Sequence, residues 1–192
     1  MNERQALAVL STDKYTHFLD LFEKWNRRIN LSAATTRAEL EEHLADSLAV
    51  VPILDGARRV LDVGSGGGFP VVIAAIALPS TELVSLEPVH KKHAFLRTVA
   101  RELGLANLEA RAERLEDHAG AEYDAAMSRA TFDLREWLER GRPFVRPGGL
   151  VIGFEGVLRD DLPASIERTP YELEGKHRAI VALRVPRGTP AT

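Results

Sequence analysis

Apolar side chains at Tyr15, Phe18, Leu19, Phe22, Trp25 and Ile29 recur at three- and four-residue intervals. That is the spacing of one helix face, so an amphipathic helix is predicted from near Thr12. Thr36-Arg-Ala-Glu39 has the form of a capping box and opens a second helix, with Leu40, Leu44, Leu48 and Val51 on one side. From Arg59 the period changes. RVLDVG (59–64) reads as a strand, FPVVIAAIAL (69–78) as a buried helix with Pro70 in its first turn, and TELVSLE (81–87) as a second strand. VHKKHAFLRTVARELG (89–104) is an amphipathic helix closed by Gly104 at the C′ position. Further strands are expected at Leu108–Arg111, Tyr123–Ser128 and Leu150–Phe154, with helical stretches between the successive pairs. After Gly156 the alternation stops. Two weaker extended segments, 167–173 and 179–185, suit a hairpin at one sheet edge, and PRGTPAT a frayed tail.

Strand–helix alternation of this kind implies right-handed crossovers and a doubly wound, mostly parallel sheet. The expected fold is therefore α/β and Rossmann-like, with an antiparallel C-terminal edge. Residues 1–56 are expected to form a helical extension packed on the same domain, 57–185 the α/β domain, and 186–192 a tail. At 192 residues the chain is long enough to bury a core without staples. It has no cysteine, which removes disulfides, thiolate metal sites and any cysteine nucleophile. The start carries an acid and a polar break where a signal peptide needs an apolar core, and VVIAAIAL is too short to span a bilayer. A soluble, cytoplasmic protein is expected. Formal net charge is −3, so no global field draws the chain onto a polyanion. A local basic face remains open, because Arg27, Arg28, Arg129, Arg135, Arg140, Arg142 and Arg146 cluster in two regions. Asp133, Glu136 and Glu139 interleave the second, as on an ordinary solvated surface.

The chemistry concentrates at the end of the first strand. In doubly wound sheets ligands sit outside the carboxyl ends of the strands, where strand order reverses. There the chain reads Asp62-Val-Gly64-Ser65-Gly66-Gly67-Gly68. Missing Cβ atoms let a backbone approach a ligand closely, although a tight turn with no ligand also favours glycine. A dinucleotide fingerprint would need glycine where Phe69 stands, and the phosphate loop of nucleotide hydrolases would need a following Gly-Lys-Ser/Thr. Asp62 repels a diphosphate but suits an ammonium or sulfonium, and S-adenosylmethionine carries both. Glu87, at the end of the second strand, is placed to accept hydrogen bonds from ribose hydroxyls. Ala112 and Glu113, after the third strand, are placed to meet an adenine edge.

With these residues in hand, the sequence resembles the bacterial 16S ribosomal RNA guanine-N7 methyltransferases of the RsmG (GidB) type. The likeness spans about residues 15 to 156. It rests on FEKWNRRINLSAAT (22–35), HLADSL (43–48), RVLDVGSGGGFP (59–70), KKHAFLRTVARELGL (91–105), RAE (111–113), SRA (128–130) and RPGG (146–149). The resemblance implies the class I S-adenosylmethionine-dependent methyltransferase fold and a cofactor pocket of Gly64, Phe69, Ala112, Glu113 and Arg129, with Glu87 at the ribose. It implies 16S rRNA or the small ribosomal subunit as partner, no metal, no membrane and a monomer. Asn30 and His43 match family positions that line the RNA side, and both also suit capping or helix packing. Arg129 is placed to touch cofactor, guanine or phosphate, or to be a plain surface arginine. The family usually has glycine and proline where Val71 and Ile73 stand, aspartate for Glu87, and lysine for Glu155; this last change reverses the charge near the expected substrate mouth and, with the two loop departures, favours a different acceptor.

Guanine N7 has a free lone pair and no proton, so no general base is expected and no catalytic residue is assigned. Ser128-Arg129-Ala130-Thr131 stands where exocyclic-amine methyltransferases carry Asp/Asn-Pro-Pro-Tyr/Phe. His90 and His93 lack a third ligand, which argues against a metal. Two alternatives remain at this point: a methyltransferase of another RNA, a protein or a small molecule, and an inactive RNA-binding relic.

Overall fold

The structure, a computed structural model, describes residues 13–120 and 122–187. Helices α1 (Asp13–Ile29) and α2 (Arg37–Leu48) and a single turn, α3 (Val51–Leu54), precede the first strand. Then follow β1 (Arg59–Val63), α4 (Val71–Ala77), β2 (Glu82–Leu86), α5 (His90–Glu102) and β3 (Leu108–Arg111). After β4 (Tyr123–Ser128) come α6 (Leu134–Arg140), β5 (Val145–Glu155) and the hairpin β6 (Glu167–Leu173) and β7 (Lys176–Arg184). The seven strands form one sheet in the order β3-β2-β1-β4-β5-β7-β6. The first five strands are mutually parallel, whereas β7 runs antiparallel to both β5 and β6. Strand order reverses between β1 and β4, which puts a crevice at their carboxyl ends.

Three expectations need correction. No α-helix joins β3 to β4; there is one 3₁₀ turn at Leu115–Asp117. The intervening ERLEDHAGAE offers a single large apolar residue and so has no face to bury. β5 begins at Val145 rather than Leu150, because Val145 already pairs with Tyr123 ahead of a register shift. β7 begins at Lys176, since its polar first residues pair with β6 across the Glu174-Gly175 turn. The expected helix start near Thr12 and residues 188–192 of the expected tail lie outside the described residues.

Side chains alternate across the sheet with period two. Val60, Leu83, Ala125, Met127 and Ile152 meet the helices α1, α2, α4 and α5 in one core layer. Leu61, Val63, Val84, Ala126 and Val151 pack with Tyr123, Trp137 and Leu138 on the other face. The N-terminal helices complete the first layer. Phe18 and Phe22 of α1 lie 5.1 and 5.4 Å from the Phe69 ring, and Phe22 meets Phe95 edge-on at 5.8 Å. Each such ring, fully buried, contributes about 1.5–3 kcal/mol. Phe69 belongs to the glycine loop, so the extension helps to hold that loop in place.

The capping box at the start of α2 is formed as expected: Thr36 accepts from the Glu39 N–H while Glu39 accepts from the Thr36 N–H. Asn26 organises the connection before it. Its Oδ1 accepts the N–H groups of Leu31 and Ser32 at 2.6 and 3.1 Å, and its Nδ2 donates to the Ala34 carbonyl at 2.8 Å. Asn26→Ala leaves these partly buried groups unpaired and is expected to lower stability by about 1–3 kcal/mol. Urea unfolding checks this, and a loss below about 0.5 kcal/mol would mean that water replaces the side chain without cost.

Candidate functional site

The crevice is built on the end of β1. Asp62 is buried at 1% exposure, and neither of its carboxylate oxygens has a hydrogen-bond partner among the described residues. Burial pushes its pKa up from 3.8 to about 7, against the partial opposition of the adjacent Ser65 hydroxyl and, after it, the Arg129 charge. Nearby donors are already engaged. Ser65 Oγ donates to the Asp62 main-chain carbonyl and accepts from Ser85 Oγ. An unpaired buried carboxylate costs free energy unless a cationic partner arrives.

The glycine loop follows directly. Gly64 and Ser65 donate their N–H groups to the Leu86 carbonyl, which lays the loop over the end of β2. Glu87, 4% exposed, accepts from the Gly66 N–H and the Val89 N–H, both at 2.8 Å, one on each carboxylate oxygen. Each oxygen has a second lone pair, so the carboxylate is oriented while retaining acceptor capacity for two hydroxyls. The glycines serve different ends. A Cβ on Gly64 would strike Thr131 Oγ1 at 2.2 Å, and those on Gly67 and Gly68 would strike Phe22 and Val72 at 2.4 and 2.7 Å. At Gly66, with φ +53°, a Cβ would meet nothing nearer than 3.8 Å. At three of the four glycines protein side chains occupy the place of the missing Cβ, and at Gly66 that place is open.

Across the loop runs a groove of about 170 Å³ between the ends of β1 and β2 and the segments after β3 and β4. Gly64, Leu86, Glu113, Leu115, Thr131 and Phe132 line it. Glu113 is held from behind: its Oε1 accepts from His118 Nδ1 at 2.6 Å, while His118 Nε2 accepts from the Tyr123 hydroxyl at 3.0 Å. Ala112 is exposed and does not line this groove.

A second, larger cleft of about 560 Å³ opens beside the ends of β4 and β5. Arg129 and His43 lie in it, with Phe132, Leu134 and Phe154 on its apolar wall. The Arg129 guanidinium sits 5.5 Å from the Phe69 ring centre, and the His43 ring lies 5.7 Å from the same ring. Burial, and after it the Arg129 charge, lowers the His43 pKa and favours the neutral imidazole. Arg129 Nη1 donates to Asp46 Oδ2 at 3.0 Å. Asp46 Oδ1 also accepts from the Tyr171 hydroxyl at 2.6 Å and Arg178 Nη1 at 2.7 Å.

The structure therefore gathers the loop residues Gly64, Ser65, Gly66, Gly68 and Phe69 with Asp62 at the end of β1 and Glu87 after β2, while Glu113 lines the groove with Gly64, and Arg129 and His43 line the larger cleft. Asn30 is exposed at the end of α1 with φ 53°, a capping geometry, and lines neither cleft. Glu155 corrects a second expectation. Its side chain is 1% exposed and accepts from Arg168 Nε at 3.1 Å, so it shows the cleft no free negative charge. Asp46, Thr131, Tyr171 and Arg178 were missed. Asp46 stands in the HLADSL stretch without a distinguishing signal, and Tyr171 and Arg178 reach it from the C-terminal hairpin. Among the described residues no three acidic or histidine side chains converge as metal ligands. No described helix is long and apolar enough to cross a membrane.

Comparison with known proteins agrees with this arrangement. The GidB family, described as rRNA small subunit methyltransferase G, matches residues 11–183. A ribosomal RNA small subunit methyltransferase G from Syntrophotalea carbinolica is 41% identical over 75% of this chain and 69% of its own. The protein of the same name from Laribacter hongkongensis is 38% identical over 88% of this chain and 80% of its own. Among solved structures, a methyltransferase from Geobacter sulfurreducens superposes with a TM-score of 0.62 at 16% identity, over 96% of this chain and 97% of that one. That likeness is one of fold.

Asp62 has a direct consequence for stability. Because its folded pKa lies near 7 and its ordinary value is 3.8, the folded state holds a proton through that window that the unfolded chain has released. Stability of the ligand-free protein therefore falls as pH rises from about 4 to 7 and does not recover above it. Asp62→Asn removes the buried charge. It is expected to stabilise the ligand-free protein by about 1–3 kcal/mol at pH 8, and by less than half as much at pH 5. Thermal melts at the two pH values test this; destabilisation at pH 8 would mean that the carboxylate is paired after all.

Proposed function

Since the chain belongs to the GidB family, rRNA small subunit methyltransferase G, we propose that it methylates N7 of a guanosine in 16S rRNA, with S-adenosylmethionine as donor. The carrying observation is the buried, unpartnered carboxylate of Asp62 beside a backbone open only at Gly66. The residues present fit the cofactor. Asp62 would pair with its ammonium, Glu87 would accept the ribose hydroxyls, Gly66 would admit close approach, and Glu113 would meet the adenine end. When bound, the cofactor supplies a methyl group on a sulfonium, which makes that carbon electrophilic.

The chain's own task is then to align and to exclude water. Guanine N7 presents a lone pair and no proton, so its attack on the methyl carbon needs no base. Holding the two reactants in line can account for about 7–11 kcal/mol of the barrier. Phe69, buried at the end of the glycine loop and 5.5 Å from the Arg129 guanidinium, is kept in place by the aromatic cluster below it. Transfer moves positive charge onto the guanine ring. An uncompensated arginine there would oppose the reaction, and Asp46 offsets the Arg129 charge at 3.0 Å. The neutral imidazole of His43 adds no further cation.

Glu155 no longer favours a non-RNA acceptor, because its charge is spent on Arg168. A monomer acting on the small subunit or its RNA in the cytoplasm is the reading that follows. The acceptor atom can be tested alone. Small-subunit RNA carrying 7-deazaguanosine at the target should bind about as well as the natural RNA and receive no methyl group there. Single-turnover transfer to natural RNA should show no ascending pH limb belonging to an essential enzyme base. Methylation of the deaza nucleotide would mean that a different atom is the acceptor.

A further inference from the structure

The segment leaving β5 turns outward at the mouth of the larger cleft and ends in two bare apolar side chains. Val157 and Leu158 are 80% and 79% exposed. Val157 also borders the cleft. Single exposed apolar residues are common, but an adjacent pair held outward beside a binding cleft calls for a partner.

This tip is held from its base. Buried Glu155 accepts the Arg159 N–H at 2.8 Å, which closes the chain back across four residues. Arg168 donates to both Glu155 oxygens and, at 2.8 Å, to the Arg159 carbonyl. The Arg159 guanidinium in turn donates to Asp133 and Asp161 at 2.6 Å. Both ends of the short bridge are thus tied, and turning the tip inward would break charge-assisted hydrogen bonds at its root. An acid at position 155 acquires a purpose here, since only an acceptor can bind Arg168 and the Arg159 N–H together.

Beside the tip, Phe132, Leu134 and Phe154 offer an apolar wall in a cleft of about 560 Å³ that leads to Arg129. A cleft that deep receives a base only after the base has left its stack, and extrusion costs unstacking free energy. Apolar wedges inserted between base steps are a known means of offsetting that cost. We infer that Val157 and Leu158 form a wedge that enters the RNA stack in place of the guanosine drawn into the cleft. The inference rests on the proposed RNA methylation.

The test compares the unaltered protein with Leu158→Ser, which alters the tip without touching the cleft lining, on two small-subunit RNAs. In one the methylated guanosine is paired; in the other its partner nucleotide is changed so that it stands unpaired. Thermal stability and S-adenosylmethionine affinity are measured alongside. A wedge predicts single-turnover methylation reduced about tenfold or more on the paired target and within about twofold of the unaltered protein on the unpaired one. Stability and cofactor affinity should not change. Equal losses on both RNAs, or no loss on either, would overturn the wedge while leaving the methyltransferase reading intact. Failure of the unaltered protein to methylate either RNA would overturn both.

Discussion

The end of β1 buries a carboxylate whose oxygens have no hydrogen-bond partner among the described residues, and the groups around it are bonded to one another instead. Neighbours that might have satisfied Asp62 are committed elsewhere: the Ser65 hydroxyl to a main-chain carbonyl, and the Gly66 N–H to Glu87. The carboxylate is therefore costly in the empty protein, with its pKa pushed up to about 7. It is also selective, because a cation bearing donors restores what burial removed. The same reasoning explains the loop. Three glycines admit protein side chains and fix the loop's path, whereas the fourth is open to the ligand.

A second carboxylate joins the larger cleft to the rest of the fold. Asp46, on α2, receives Arg129 from the loop after β4, Tyr171 from β6 and Arg178 from β7. Three stretches far apart in sequence thereby meet at one buried point. The N-terminal helices are thus more than a cover for the sheet: through Phe18 and Phe22 they support Phe69, and through Asp46 they fix the reaction-side arginine. Arg178 is itself held by Glu42 of the same helix at 2.7 Å, so the C-terminal hairpin and α2 are locked together.

Much of this was legible in the residues because period and punctuation are local. The alternation along β1, β2 and β4, the capping box at Thr36 and the acid before the glycine loop each announce themselves within a few positions. Asp62 and Glu87 could be assigned from the strand ends at which they stand. What could not be read depends on distance. Asp46 looks like any helical aspartate until residues 83, 125 and 132 positions away arrive at it. Glu155 read as a reversed charge at the cleft, and only folding shows Arg168 covering it. Gly64 lines the groove, and its missing Cβ also accommodates Thr131, which no local pattern discloses.

Calorimetry of S-adenosylmethionine binding to the intact protein, in buffers of different ionisation enthalpy, bears most directly on the central claim. At pH 6 the ligand-free Asp62 is mostly protonated, and pairing with an ammonium requires the carboxylate. Binding should then release about one proton at pH 6, with release declining as pH rises past 7. Asp62→Asn should abolish that release together with most of the affinity. Binding at pH 6 with no proton released would contradict the claim that Asp62 is the unpaired carboxylate awaiting the cofactor's cation.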